Sequence, residues 1–215
     1  MTNYINMAKQ IKSAMRLVHI DNIPHILKHG IVHSKSRFAD PNYISIGDKT
    51  LIASRRDYTI PGTNLLLGDF IPFYFGPRSP MLFEIQKGFN NVVRRNPQEL
   101  VYCIIMIDDV INNSLDGFFT DGHAKNAMTK FYSNTLLPVL NDYVSYDDVY
   151  EAYWGTAYDN TGETKRKKSA ELLLKEDISP ELIKWFVVYN ESAEDTLIKY
   201  GVSPEKIFVN SKFYY

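Results

Sequence analysis

The chain has 215 residues, 45% of them hydrophobic, and a formal net charge of −1. That length suits one large domain or two small ones, the apolar share can build a full core, and the charge argues against a globally basic nucleic-acid binder. No apolar run approaches the ~18 residues of a membrane-spanning helix, and a single cysteine, Cys103, excludes an internal disulfide and fits a reducing compartment.

The opening "MTNYINMAKQIKSAMR" has no apolar core of signal-peptide type and reads as a mature, cytoplasmic start, with a helix over residues 1–15. "RLVHI" predicts a short strand. Asp21 is placed to cap a helix over "NIPHILKHG", closed by Gly30. "NYISIG" alternates and predicts a strand. "GDFIPFYFG" is aromatic and branched and predicts another, broken by "PRSPM". "ELVYCIIMI" is a buried strand that takes Cys103 into the core. "GHAKNAMTKFY" and "YDDVYEAYWG" read as helices, and "SAELLL" is too short for periodicity to separate helix from strand. "IKWFVVYN" is a strand, "SAEDTLIKYG" a helix capped by Ser192 and followed by Gly201, and "KIFVN" a closing strand. There is no internal repeat, so the expectation is one α+β domain, residues 1–215, with mixed central β-sheets flanked by short helices.

Charge is uneven along the chain. Residues 1–100 hold 13 Lys and Arg against 7 Asp and Glu, a balance of +6; residues 101–215 hold 11 against 18, a balance of −7. This fits either a local basic face or an uneven solvated surface. Four of the five histidines lie between positions 19 and 33, and His25 and His29 stand at the i, i+4 spacing of a helical zinc site. No Cys or Glu completes that set, so no metal is expected. His123, in "FFTDGHA", follows a predicted strand end, where side chains reach clefts; equally, Thr120 or Asp121 caps a helix and leaves His123 merely exposed. Arg55 and Arg56 precede a strand-like turn, and Arg78 stands on a stiff loop between prolines, where a guanidinium suits a phosphate. In "ETKRKKSAELLL" the run Lys165, Arg166, Lys167 and Lys168 can hold a polyanion or form a solvated face. Glu171 follows three residues on, at the head of an apolar segment, where a carboxylate can orient a hydroxyl or take a proton.

Together and in this order, "HIDNIPHILKHGI", "PNYISIGDKTLIASRRDYTIPG", "GDFIPFYFGPRSPMLFEI", "ELVYCIIMI", "FFTDGHA", "KRKKSAELLL", "FVVYNE" and the aromatic "KFYY" resemble the DarT family, DNA-modifying ADP-ribosyltransferase toxins of toxin–antitoxin systems. The resemblance runs from about residue 16 to 215. It implies an ADP-ribosyltransferase-like fold, NAD as co-substrate, and transfer of ADP-ribose to a base of single-stranded DNA. It further implies a cognate antitoxin, a macrodomain hydrolase. On this pattern Glu171 is the catalytic glutamate, His123 the histidine of the TDGH turn, and Arg55 the NAD-handling arginine, with Arg56 the adjacent alternative. His19, Asn22, Ser45 and Phe75 fall on the cofactor side, as do Arg16 and Val18, which replace a histidine and a threonine of the family pattern. Arg78 and residues 165–168 fall on the nucleic-acid side. Tyr43, Tyr58, Phe73 and Tyr74 can stack bases, although the strand of the last two favours core packing. RNA as acceptor, a protein acceptor, and a catalytically silent nucleic-acid-binding module are the competing expectations.

Overall fold

A computed structural model describes residues 9–90 and 92–215. Its centre is an eight-stranded sheet in the order β5-β4-β6-β2-β1-β3-β7-β8. The strands are β1 (Ser13–His19), β2 (Ile71–Tyr74), β3 (Leu100–Met106), β4 (Gly117–Thr120), β5 (Phe131–Ser133), β6 (Glu171–Leu174), β7 (Ile183–Val188) and β8 (Ile207–Val209). Neighbours run antiparallel except β7 and β8, which makes the sheet mixed. The α-helices are short: α1 (Ile23–His29), α2 (Lys49–Arg56), α3 (Pro80–Lys87), α4 (Ile107–Asn112), α5 (Tyr146–Tyr150), α6 (Glu163–Lys168) and α7 (Glu191–Lys199). None is long and apolar enough to cross a membrane, among the described residues.

The period-two alternation of the strands sorts side chains to two faces. Ala14, Val18, Val101, Cys103 and Ile105 join the larger apolar cluster, with α1, α4 and α7 packed on it. Met15, Leu17, Leu100, Tyr102 and Ile104 point the other way, onto Leu82 and Ile85 of α3. A third, small cluster gathers Ile60, Leu67, Phe70, Ala124 and Leu173. Cys103 is fully buried, which pushes its thiol up to about 12 and makes it a packing residue.

The sheet has one weak seam. β1 and β3 pair over seven positions, Ser13↔Met106 to His19↔Leu100. On its other side β1 meets β2 only at Met15↔Tyr74. Pro72, in the middle of β2, has no N–H to offer a neighbour. The strands part there, and the Arg16 guanidinium donates to the Pro72 carbonyl across the gap at 2.8 Å.

Several elements differ from the sequence expectation. Of the N-terminal helix, residues 1–8 lie outside the described residues, while residues 9–12 are irregular and Ser13–Met15 belong to β1. Asp21 does not cap α1; it accepts from the Tyr200 hydroxyl at 2.8 Å, and Asn22 holds the cap position without a side-chain bond. Helix α7 is capped by Asn190 rather than Ser192. "NYISIG" is a loop, because the Asn22 carboxamide grips both backbone groups of Ile44, at 3.0 and 2.9 Å, where a strand partner would stand. "LIASRR" is helical, its start fixed by Asp48 accepting from Thr50 and Leu51. "GHAKNAMTK" forms turns leading into β5, because its amides are taken by groups outside a helix: His123 N–H by the Arg166 carbonyl and Ala124 N–H by Glu171. Of "YDDVYEAYWG" only Tyr146–Tyr150 is helical. "ELLL" resolves as β6.

Candidate active site

A cavity of about 820 Å³ opens at the seam, on the α3 side of the sheet. Its size lies at the upper end of the range for small-molecule sites. β1 and β2 supply Arg16, Leu17, Pro72 and Tyr74; α3 supplies Met81, Glu84 and Ile85; the 43–48 loop and α2 supply Tyr43, Ser45, Asp48, Arg55 and Arg56. His123, Lys125, Lys165, Arg166 and Glu171 close the remaining side.

Glu171 is the first residue of β6 and only 1% exposed. Arg55, 116 positions away in the last turn of α2, meets it with both guanidinium branches: NH1 to Oε1 at 3.0 Å and NH2 to Oε2 at 2.6 Å. The Ala124 N–H donates a third bond to Oε1 at 3.0 Å. Burial alone pushes this carboxyl up. The Arg55 charge and hydrogen bonds, with His123 and the Ala124 amide, outweigh it and hold Glu171 below the ordinary carboxylate range. The backbone beneath it is fixed too. Thr120, fully buried, accepts from the Glu171 N–H at 3.0 Å and donates to the Gly122 carbonyl at 2.7 Å. Thr120 therefore locks the turn to the glutamate and caps no helix.

His123 stands on that turn at the cavity wall. Its Nδ1 accepts from the Lys125 N–H at 3.3 Å, which leaves the proton of the neutral ring on Nε2. Burial lowers its pKa; Glu171 opposes this, while Arg55, Lys165 and Lys125 reinforce it. The ring is thus held neutral below the ordinary histidine value.

α2 has no fully buried residue; Arg55 ties it to Glu171, and its last turn lies against the Gly68 backbone. A Cβ on Gly68 would lie 2.5 Å from Arg56 Cα and 2.6 Å from its carbonyl oxygen. Gly68→Ala must therefore push the last turn of α2, and Arg55 with it, away from Glu171. The expected outcome is a melting temperature lowered by several degrees, roughly the ~1–3 kcal/mol of an overpacked contact, read by thermal denaturation.

Of the residues singled out in the sequence, Arg16, His33, Tyr43, Ser45, Arg55, Arg56, Tyr74, His123, Lys165, Arg166 and Glu171 line the cavity. The others lie elsewhere. Val18 and Phe75 are in the core on the opposite face of the sheet. His19 is buried, its Nδ1 accepting from Asp21 N–H and its Nε2 3.6 Å from Glu99. Asn22 is spent on the Ile44 clasp. The Arg78 guanidinium lies over the Tyr215 ring, 4.5 Å from its centroid.

The basic run is not one exposed face. Lys168 is 1% exposed and donates to the carbonyls of Pro77 and Val149, both at 3.1 Å; desolvation lowers its pKa to about 8. Arg166 is paired with Glu163 and Asp121, and Lys167 with Asp148 at 3.5 Å. Helix α6 turns these three side chains inward or onto acids, and only Lys165 is left on the rim. Arg56 and Lys125 join it there, and none of these three has a carboxylate partner among the described residues. A lone lysine among helix-forming residues carries no signal in the sequence, and only the turn geometry brings Lys125 to the rim. The His25 and His29 rings lie 4.7 Å apart, tilted by 36°, but no group of three or more metal-ligating side chains occurs among the described residues.

A family model described as "ssDNA thymidine ADP-ribosyltransferase, DarT" matches residues 15–215. A DNA ADP-ribosyl transferase of Escherichia coli O127:H6 is 38% identical over 120 residues, 55% of this chain and 55% of that protein. A DNA ADP-ribosyl transferase–DNA ADP-ribosyl glycohydrolase fusion protein of Thermosipho africanus is 27% identical over 194 residues, 90% of this chain and 46% of that protein. The chain thus spans about half the length of both. A DNA ADP-ribosyl transferase of Thermus sp. (strain 2.9) is 27% identical over 186 residues, 85% of this chain and 84% of the relative. Among solved structures, Thermus sp. 2.9 DarT in complex with ADP-ribosylated ssDNA superposes with a TM-score of 0.80 at 23% identity, covering 97% of this chain and 98% of that one. The same protein in complex with NAD+ gives 0.75 at 22%, covering 97% and 100%. At these identities the likeness is one of fold.

Proposed function

The chain belongs to the DarT family of single-stranded-DNA thymidine ADP-ribosyltransferases, and on that premise we propose that it transfers ADP-ribose from NAD to a thymine base of single-stranded DNA and releases nicotinamide. The observation that carries this reading is Glu171: a buried carboxylate at the wall of a large cavity, kept ionised by a two-branched arginine and flanked by a neutral histidine.

The chemistry follows from that arrangement. As the bond from ribose C1′ to nicotinamide breaks, its electron pair leaves with nicotinamide and positive charge builds on the ribose, as in glycoside cleavage. Glu171 steadies that charge through a ribose hydroxyl; preorganised electrostatic help of this kind is often the largest catalytic contribution. The acceptor nitrogen then bonds to C1′ and its proton passes to Glu171. Arg55 keeps the carboxylate charged and aimed, and its remaining N–H groups face the cofactor. Arg16, beside the Pro72 carbonyl at the seam, lies on the cofactor's path. His123 orients the acceptor. Arg56, Lys125 and Lys165 take the phosphates of the strand. A single strand is the natural substrate because its bases need no unpairing.

The Thermosipho relative joins a transferase to a glycohydrolase in one protein. We take a separate ADP-ribosyl hydrolase of macrodomain type as the antitoxin partner of this chain, whose transfer activity is that of a toxin blocking replication.

Intact mass of DNA and RNA oligonucleotides of mixed sequence, incubated with the protein and NAD, tests the proposal. One added ADP-ribose unit on DNA alone, located on thymine by fragmentation, is the expected result. Label on RNA alone would move the acceptor, and no label with NAD intact would leave only nucleic-acid binding. The rate should also show the sign of the His123 shift. With a pKa below 6.5 the ring is neutral at physiological pH. kcat/KM for the oligonucleotide should be flat from about pH 8 to 7 and fall only below the ordinary histidine value. A His123→Gln variant should lack that acid limb; a limb that persists in it belongs to another group.

A further inference from the structure

Tyr215 makes more directed contacts than any role in the core requires. Its backbone is gripped by the buried carboxamide of Gln86 in α3, N–H to Oε1 at 2.9 Å and carbonyl from Nε2 at 3.4 Å. Its ring meets Phe83 of the same helix edge to face, centroids 5.1 Å apart, and lies under the Arg78 guanidinium. Its hydroxyl is used twice. It donates to the carbonyl of Arg78, a residue held at a left-handed φ of +54°, and it accepts from Trp154 Nε1 at 2.6 Å. The indole in turn lies 5.7 Å beneath Lys165 Nζ and packs edge to face on Phe83 at 5.4 Å.

Two elements around the cavity therefore converge on one side chain. α3 gives Met81, Glu84 and Ile85 to the cavity wall, and the segment running from Trp154 into α6 gives Gly162 and Lys165 to its rim. α5 ends at Tyr150 and α6 begins at Glu163, so little regular structure ties that segment down between them. Trp154 is its aromatic anchor, and the Tyr215 hydroxyl is the indole's hydrogen-bond partner.

We infer that Tyr215 is a positioning residue for the acceptor strand: through Trp154 it fixes the rim segment and Lys165 against α3, and so sets how the oligonucleotide docks without touching the NAD-reactive centre. This rests on the single-stranded DNA acceptor proposed for the chain. The hydroxyl is the separable part. A phenylalanine keeps the ring contacts and the Gln86 grip, and releases Trp154, which is half-buried and finds water.

The test is Tyr215→Phe in the full chain, with Trp154→Phe and the double variant beside it. KM for the oligonucleotide should rise about tenfold, the worth of one well-placed hydrogen bond, with kcat and KM for NAD unchanged. The double variant should be no worse than either single one. Amide exchange over residues 152–165 should quicken in Tyr215→Phe while β3 and β7 keep their protection. Unchanged exchange there, or an equal rise in the KM for NAD, overturns the inference. If the unaltered protein neither labels nor binds DNA in fluorescence anisotropy, the acceptor proposal falls instead, and the exchange comparison still decides whether Tyr215 holds the rim.

Discussion

Glu171→Gln should lower the rate of oligonucleotide labelling by a factor on the order of 10³, the scale of losing one group that acts on developing charge or moves a proton. The amide has nearly the carboxylate's shape and can still accept from the Ala124 N–H. It cannot carry negative charge toward the ribose, and it cannot take the acceptor's proton. Oligonucleotide affinity, in the proposed reading set by Arg56, Lys125 and Lys165 on the rim, should stay within about twofold in anisotropy. That pattern, transfer lost and binding kept, separates an enzyme from a binding module. A variant that retains more than about a tenth of the original rate would remove Glu171 from the centre of the mechanism.

Arg55→Met has a second and different signature. It strips the counter-charge from a carboxylate that is 1% exposed, and breaking one side of a buried pair costs about 3–5 kcal/mol. In the unaltered protein the Glu171 carboxyl sits below its ordinary 4.5 when folded. The pair therefore contributes stability above the unfolded value and loses it as pH falls through the folded one. Without Arg55, burial governs and the folded carboxyl titrates above 4.5, so the folded variant takes up a proton before the unfolded chain does. Its handicap should shrink as pH is lowered from about 8 to about 5. Urea midpoints of both proteins across that range measure it, and a gap independent of pH would mean that the lost stability comes from packing rather than charge. Labelling should fall together with stability, because a protonated Glu171 offers no charge to the ribose.

The strands that face the core were legible from the chain alone. "ELVYCIIMI" and "IKWFVVYN" carry apolar runs that burial explains, "KIFVN" is branched and apolar although only Ile207 of it is buried, and β3, β7 and β8 lie within them. The segments around the cavity were not, since their backbone is held by single long-range partners. "NYISIG" alternates like a strand, yet Asn22 takes the hydrogen bonds of Ile44. "GHAKNAMTKFY" has helix-forming residues, yet its amides serve Glu171 and Arg166. The same holds for the site. Arg55 and Glu171 are 116 positions apart, and neither spacing nor composition joins them; the likeness to a family named both, and the geometry supplies their contact. Lys168 and Arg166 misled for the opposite reason. Four adjacent cations read as a clamp for a polyanion or a solvated face, while the helical turn sends one into a cage of carbonyls and another onto two acids.

The single register pair between β1 and β2 has a consequence for how the molecule opens. β1, β3, β7 and β8 are paired among themselves, as are β2, β6, β4 and β5, so the ladder hydrogen bonds of the sheet fall into two blocks joined along a sparse line. The cavity straddles that line, with Leu17 on one bank and Tyr74 and Glu171 on the other. A dinucleotide bound there, as the proposed reaction requires, would act as a strap between the blocks. Its binding free energy would then stabilise the join where the ladder between the blocks is thinnest.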